Sequence, residues 1–361
     1  MRQRAPRGPH RGRASEPSLS ERPYTVRPYR PGDEAAILAL FNSVFGEGDA
    51  RFEPRTPEQW RWLYLDNPCG TQIVVAVEEG GAVVGHYACL PARARVDGEI
   101  VVAGQGIDSM VRADYRRGLK REGAFLQTAR GYFEHFGHWP ICGFGYGFPN
   151  RQAYPIGVRL VGYETVVKPL PTLYRNFYEG GDDAEVGRAH AAAAAGLDVV
   201  EVDRFGAAAD ELWGRLASHF PFALVRDAAY LDWRYAACPW LAYRRFLVRA
   251  RGGPVRALFV ARANWQRQPI GALVDYLGAP DDAASVALAL RTTTRLAREA
   301  GMARVEAWFP ERSPWFRHAL GSGFKSEPCQ YVLCVMLYRE KPDLEWVRER
   351  WYWTIGDSDV F

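Results

Sequence analysis

Hydrophobic positions fall into short β-rich runs broken by glycine turns, and the same succession occurs twice along the chain. In the first, Thr71–Val77 and Ala82–Leu90 flank the turn Glu78-Glu-Gly-Gly81, which predicts a hairpin. Glu99–Val111 predicts a further strand, Gly123–Phe136 a helix, Trp139–Gly147 a strand and Arg151–Leu160 a short helix. In the second, Arg244–Ala250 and Val255–Ala261 predict a strand pair, followed by a strand at Ile270–Leu277 and a helix at Asp281–Ala300. Ala303–Trp308 then predicts a strand and Pro314–Leu320 a short helix leading to Gly323-Phe324. Each succession reads as a mixed, mostly antiparallel twisted sheet flanked by helices, so the fold class is α+β. A shared motif ties the two together. Trp62 precedes Pro68 by six residues and Trp233 precedes Pro239 by six, each before an apolar strand, as in a duplicated fold.

Length agrees with two domains, since 361 residues exceed one ordinary domain. The expected divisions are a disordered basic tail over 1–22, an N-terminal domain over 23–175 and a linker over 176–198 rich in Ala, Gly and Asp. A C-terminal domain over 199–340 and a docking segment over 341–361 follow. The tail holds six Arg and two Glu of the chain's 46 basic and 42 acidic residues, which leaves the body with 40 of each. A neutral body argues against nucleic acid as a partner, because that needs a basic face on the folded part. No apolar run approaches the roughly 18 residues of a membrane span, so no membrane partner is expected. Six scattered cysteines without a Cys-x-x-Cys pair read as buried thiols in a reducing, cytoplasmic setting. His135 and His138 lie three apart but lack a third ligand nearby, so no metal is expected.

Chemistry concentrates between Asp108 and Leu126. An apolar strand runs into a basic, glycine-punctuated turn and then directly into a helix. A helix start leaves backbone N–H groups without carbonyl partners and carries the positive end of the helix dipole, so it attracts anionic oxygens. Gly118 and Gly123 allow close approach, while Arg116, Arg117, Lys120 and Arg121 add charge suited to a pyrophosphate. The second half has Gly278-Ala-Pro-Asp-Asp282 at the corresponding place, where carboxylates repel phosphate.

This segment resembles the cofactor motif of the GNAT acyltransferases. Val111, Asp114, Tyr115 and Arg116 match its strand end, and Lys120-Arg121-Glu122-Gly123-Ala124 gives a Lys-x-x-Gly form of its loop. The family's proline is replaced by Ala113, and the run from Arg116 to Gly123 is longer than the family's loop. Asn150-Arg-Gln-Ala-Tyr154 resembles the family's Asn-x-x-Ala helix. The resemblance implies two tandem GNAT-like folds, the second degenerate, with acetyl-CoA as co-substrate of the first. It implies that strands Ile107–Val111 and Ile141–Gly147 splay to admit the pantetheine arm, with backbone groups of Met110 and Val111 and the residues Arg116, Arg117, Gly118, Lys120, Arg121, Gly123, Ala124 and Asn150 at the cofactor. Asn150 is equally natural as a helix N-cap.

Attack by an amine needs a base, because an alkyl amine is mostly protonated at neutral pH. By resemblance the base is Asp108, which read alone is also a strand-end residue that caps backbone N–H groups; Glu99 and Asp114 are further candidates. The tyrosine that protonates the leaving thiolate in the family falls at Gly157 here, so Tyr154 is the expected substitute, with core packing its alternative. Tyr163 takes the place of the family's terminal Phe and reads as a buried aromatic. The aromatic C-terminal piece Trp351–Phe361 is expected to dock, and Asp359 or the carboxylate of Phe361 is an alternative base. The expected activity is acetyl transfer to a small-molecule or peptide amine, with the acceptor and oligomeric state open. The rivals are a non-catalytic acyl-CoA-binding or interaction module, and an aminoacyl-tRNA-dependent transferase of similar duplicated fold.

Overall fold

The computed structural model describes residues 23–50, 52–116, 123–177 and 196–359. The basic tail, Arg117, Gly118, Lys120, Arg121 and Phe361 lie outside the described residues. The strands are β1 Tyr24–Pro28, β2 Gln72–Glu78, β3 Val83–Val96, β4 Glu99–Val111, β5 Phe144–Gly147, β6 Glu164–Val167, β7 Pro171–Asn176 and β8 Leu197–Val202. They continue with β9 Phe222–Leu224, β10 Arg244–Ala250, β11 Val255–Arg262, β12 Ile270–Gly278, β13 Arg304–Ala307, β14 Lys325–Pro328 and β15 Leu333–Leu337. The helices are α1 Glu34–Phe45, α2 Pro57–Tyr64, α3 Ala124–His135, α4 Ala153–Ile156, α5 Ala207–Leu216, α6 Ala228–Leu231, α7 Ala283–Glu299, α8 Pro314–Gly321 and α9 Leu344–Arg350. No helix among the described residues is long and apolar enough to cross a membrane.

Two mixed sheets result. The first runs β1-β2-β3-β4-β5-β15-β6, with β9 added beside β3; the second runs β14-β7-β13-β12-β11-β10-β8. All neighbours are antiparallel except β4 with β5 and β12 with β13. Read from β1 and from β8, the two orders are the same plan: four antiparallel strands, one parallel step, then two more strands. The sixth strand is exchanged. β15, from the end of the chain, pairs with β5 and β6, while β7, from its first half, pairs with β13 and β14. Each sheet therefore depends on a strand drawn from the other part of the chain.

Helix α3 packs on the first sheet through Ala124, Thr128, Ala129 and Tyr132, spaced to share one face. It lies close, since a Cβ on Gly131 would come within 3.0 Å of Val26 and 3.2 Å of Val74. Helix α2 starts at a capping box, Thr56 with Gln59, and has Pro57 at its first position. The sequence predicts β4 to the residue. The strand predicted over Trp139–Gly147 begins only at Phe144, because Pro140 has no N–H to donate and Trp139–Ile141 forms a turn.

The halves meet at the repeated tryptophans. The Trp62 indole N–H donates to the Trp233 carbonyl at 2.8 Å, and the Trp233 indole N–H donates to the Trp62 carbonyl at 2.9 Å. Their rings stack at 5.2 Å between centroids. Both are buried, at 3% and 8% exposure, so each bond is made where water cannot replace it.

We expect Trp62→Ala and Trp233→Ala each to cost about 3–5 kcal/mol in urea unfolding. The double variant should cost clearly less than the sum, since one contact is removed twice; additive values would show that the two rings act independently. Because the sheets exchange strands, thermal unfolding should be a single transition.

Candidate active site

Strand β4 leaves β5 early. The parallel pairing covers Ala103↔Phe144, Gly104↔Gly145 and Gln105↔Tyr146, yet β4 continues to Val111. On its other side β4 stays paired with β3 up to Gly85↔Val111. Arg112 donates its N–H to the Val84 carbonyl at 2.9 Å, so Met110, two residues earlier, also faces β3. Val111 therefore turns its N–H away from β3, into the gap.

That gap opens into a cavity of about 910 Å³, the size of a cofactor or drug-sized ligand site. Gly106–Val111, Gly147–Asn150, Tyr115, Arg116 and the helix start Gly123–Leu126 line it, joined by Gln266, Arg267, Tyr331 and Asp359 from later in the chain. Gly123 is the N-cap of α3 and supplies no capping side chain to the first N–H groups of the helix, which, as at any helix start, have no intrahelical acceptor. Arg116 is anchored by its Nε to the Val111 carbonyl at 2.9 Å and by an ion pair to Glu47. The remaining basic positions of the loop lie outside the described residues.

Asp108 sits at a bulge. The β3–β4 register shifts between His86 and Ala88, and Asp108 has φ of 48°, a conformation that disfavours a residue with a Cβ by about 1–2 kcal/mol. Three groups hold it there. Arg55 pairs with its carboxylate, the Tyr64 hydroxyl donates to Oδ2 at 2.6 Å, and His86 Nδ1 meets its carbonyl at 2.9 Å. Burial alone pushes this carboxyl up, but the Arg55 charge and the hydrogen bonds from Arg55 and Tyr64 outweigh it and hold the pKa below the usual carboxylate range. A carboxylate so engaged is a weak proton acceptor and a strong clamp.

The other expected residues separate. Asn150 lines the cavity and caps α4, its Oδ1 accepting from Gln152 and Ala153 N–H at 3.0 Å each. Tyr154 is not brought to the cavity wall; its hydroxyl meets Thr165 Oγ1 at 2.8 Å, and Lys168 Nζ lies 4.1 Å from its ring centroid. Glu99 pairs with Arg339 at the far end of β4, and Asp114 pairs with Arg112.

Asp359 arrives from the other direction. Residues 351–358 run through the protein interior: Trp351 bridges to Phe222, the Tyr352 N–H donates to the Phe222 carbonyl, and Arg226 joins Asp275 at 2.9 Å to Asp357 at 2.6 Å. Arg234 donates to the Ser358 carbonyl at 2.7 Å. Next in the chain, Asp359 lines the cavity and accepts from Gln105 Nε2 at 3.3 Å. Burial, reinforced by the neighbouring Asp108 charge, pushes its carboxyl up to about 6 against the opposing effects of its own backbone N–H, Arg234 and Gln105. Gln105, Arg55 and Tyr64 carry no sequence signal, since each is an ordinary residue in an ordinary strand, loop or helix until the fold gathers them.

Comparison with known proteins places this geometry. Residues 25–135 match the acetyltransferase (GNAT) domain family model. A comparison with curated proteins finds no match. Among solved structures, a GCN5-related N-acetyltransferase from Kribbella flavida has a TM-score of 0.59 at 13% identity, covering 88% of this chain and 72% of that one. The GCN5-related N-acetyltransferase from Anabaena variabilis gives 0.57 at 13% identity over 88% and 73%. Saccharomyces cerevisiae N-myristoyltransferase with bound myristoyl-CoA gives 0.54 at 14% identity over 88% and 80%. At these identities the likeness is one of fold.

The clamp at Asp108 yields a stability test. Asparagine tolerates φ near 48° but cannot pair with Arg55. Asp108→Asn should cost about 3 kcal/mol at pH 7 in urea unfolding, because it strands a mostly buried guanidinium. A carboxyl held below its unfolded value stabilises fully above about pH 4 and loses that contribution as pH falls through its folded value. The difference between variant and parent should therefore narrow only below about pH 4, and a difference that narrows near pH 6 would reject the clamp.

Proposed function

From a chain whose residues 25–135 match the GNAT acetyltransferase domain model, we infer an acyl-CoA-dependent N-acyltransferase, with acetyl as the expected group and an amine as acceptor. The observation that carries this reading is the edge of β4 beyond Gln105, unpaired among the described residues, opening onto a cavity that ends at a helix start whose N-cap, Gly123, has no side chain. An extended amide-bearing arm can add to that edge as a strand would, and the amides of Ala124 and its neighbours, with Arg116, suit a diphosphate. Arg117, Lys120 and Arg121 belong to the same reading by their charge. The Val111 N–H, turned into the gap, is positioned to polarise a thioester carbonyl.

Asp359 is the base in this reading. Its raised pKa, close to the working pH, suits proton transfer, whereas Asp108 is occupied by Arg55. An amine that attacks the thioester carbonyl forms the C–N bond and gives its proton to Asp359; the C–S bond then breaks with its electron pair passing to sulfur. The six cysteines, all free thiols, fit a cytoplasmic location.

Incubation with acetyl-CoA and a panel of amines, read by released thiol, should give turnover. Arg117→Glu/Lys120→Glu should abolish micromolar CoA binding in calorimetry. Absence of both turnover and binding would leave an interaction module or an aminoacyl-tRNA-dependent transferase. In kcat/KM, activity should rise as pH passes about 6, because only the ionised carboxylate of Asp359 accepts a proton. Asp359→Asn should lower turnover by about 100-fold and remove that limb of the profile.

A further inference from the structure

Departure of a thiolate from a buried carbonyl carbon needs a donor beside the sulfur, and the expected Tyr154 is bonded to Thr165 away from the cavity. Tyr163 is placed differently. After α4 the chain makes one π-helical turn, Gly157–Val161, and Gly162 reverses it with φ of 91°. Gly162 and Tyr163 both donate their N–H to the Gly157 carbonyl, at 2.9 and 3.2 Å. The reversal folds the Tyr163 ring back onto Gly157. A Cβ on Gly157 would lie 2.3 Å from Tyr163 Cδ2 and 2.7 Å from Cε2, so the ring occupies the space of any side chain at 157. Its hydroxyl reaches the parting of the strands. A Cβ on Gly106, the first β4 residue past the β5 pairing, would sit 3.2 Å from the Tyr163 hydroxyl and 3.8 Å from the Tyr146 carbonyl.

We propose that Tyr163 is the proton donor to the departing sulfur, its ring standing in the room that Gly157 leaves and its hydroxyl delivered to the floor of the gap at Gly106. This deepens the acyl-CoA reading and rests on it. As the C–S bond breaks, sulfur takes the proton from Tyr163, leaving CoA as the free thiol. Tyr163 regains a proton through solvent from Asp359, which holds the one released by the amine, so charge and atoms balance across the cycle. Burial pushes the Tyr163 hydroxyl up to about 12, opposed by its hydrogen bond with Tyr87, which keeps it protonated at neutral pH. Cys89, Cys334 and Asp359 are the other titratable groups that bear on it.

The test compares CoA with desulfo-CoA, which lacks only the sulfur, by calorimetry at about pH 10, where the CoA thiol, an alkyl thiol less acidic than that of cysteine, is substantially ionised and Tyr163 is still protonated. A hydrogen bond to a charged group is worth about 10-fold or more, so the parent protein should prefer CoA by about that factor. Tyr163→Phe keeps the ring on Gly157 and removes only the hydroxyl. It should bind desulfo-CoA unchanged, lose the preference for CoA, and lower acetyl-CoA turnover by 10-fold or more with little change in KM. An equal CoA preference in both proteins would overturn the assignment. A parallel loss of affinity for both ligands would do so as well, because that is what a packing role predicts. Failure of the parent protein to bind either ligand overturns the acyl-CoA reading itself, and this assignment with it.

Discussion

The parting of β4 from β5 after Gln105 is the constraint on which the site depends. Two adjacent strands that separate leave main-chain groups without partners, and such groups must find water, a ligand or another segment. Small residues permit the close crossing that precedes it. A Cβ on Gly104 would lie 2.8 Å from the Tyr132 hydroxyl, and one on Gly145 would lie 2.6 Å from that of Tyr338. Past the crossing, the bulge at Asp108 turns β4, and a buried ion pair with Arg55 holds an aspartate where a glycine would be easier. Strain of this kind persists where surrounding groups over-determine it, as Tyr64 and His86 do here.

The second sheet contains the same parting and closes it. β12 pairs with β13 only over Ile270–Leu273 and then continues to Gly278 paired with β11 alone. The C-terminal segment packs there: Thr354 Oγ1 donates to Asp275 at 3.1 Å, the Tyr352 hydroxyl donates to the Tyr276 carbonyl at 2.6 Å, and Gly356 packs so tightly that a Cβ would meet the Tyr235 hydroxyl at 2.0 Å. The helix that follows is also satisfied from within. Asp282 caps α7, accepting from the Ser285 N–H, whereas Gly123, at the same place before α3, has no side chain with which to cap it. A carboxylate held where an anionic ligand would bind excludes that ligand by charge and by space. One plan thus gives an open cleft and a plugged one, and the difference lies in a few side chains.

Local patterns in the sequence revealed the elements and part of the site. Short β-rich runs located β2, β3 and β4, the glycine-punctuated basic turn located the helix start, and the repeated tryptophans marked the duplicated plan, though not that the two rings meet. The sequence did not reveal which strand lies beside which when the pairing joins distant segments. Nothing in Leu333–Leu337 distinguishes a strand of the first sheet from one of the second, because an apolar run of five residues satisfies either edge. The partners of Asp108 were hidden for the same reason: Arg55 and Tyr64 are 53 and 44 residues away, and only the packing of α2 on the sheet brings them in. Tyr163 reads as a core aromatic in sequence because its importance comes from a missing side chain at 157, which is visible only once the turn at Gly162 is known.

Strand exchange and the C-terminal segment together make the site a property of the whole chain. β15 forms the wall behind β5, so the cleft of the first sheet cannot assemble from the first half alone. Residues 351–358 are fixed by Arg226, Asp275 and Arg234 of the second half, and Asp359 emerges from that anchored run into the cavity of the first. A group carried by so short a free length has little conformational freedom, so its carboxylate is held at the cavity wall. The plugged cleft therefore has a structural use: filling it with the end of the chain holds a carboxylate at the open one. That accounts for a buried polar cluster of Arg226, Asp275 and Asp357 where apolar packing would be at least as stable, since directed ion pairs fix the path of the segment more narrowly than apolar contacts.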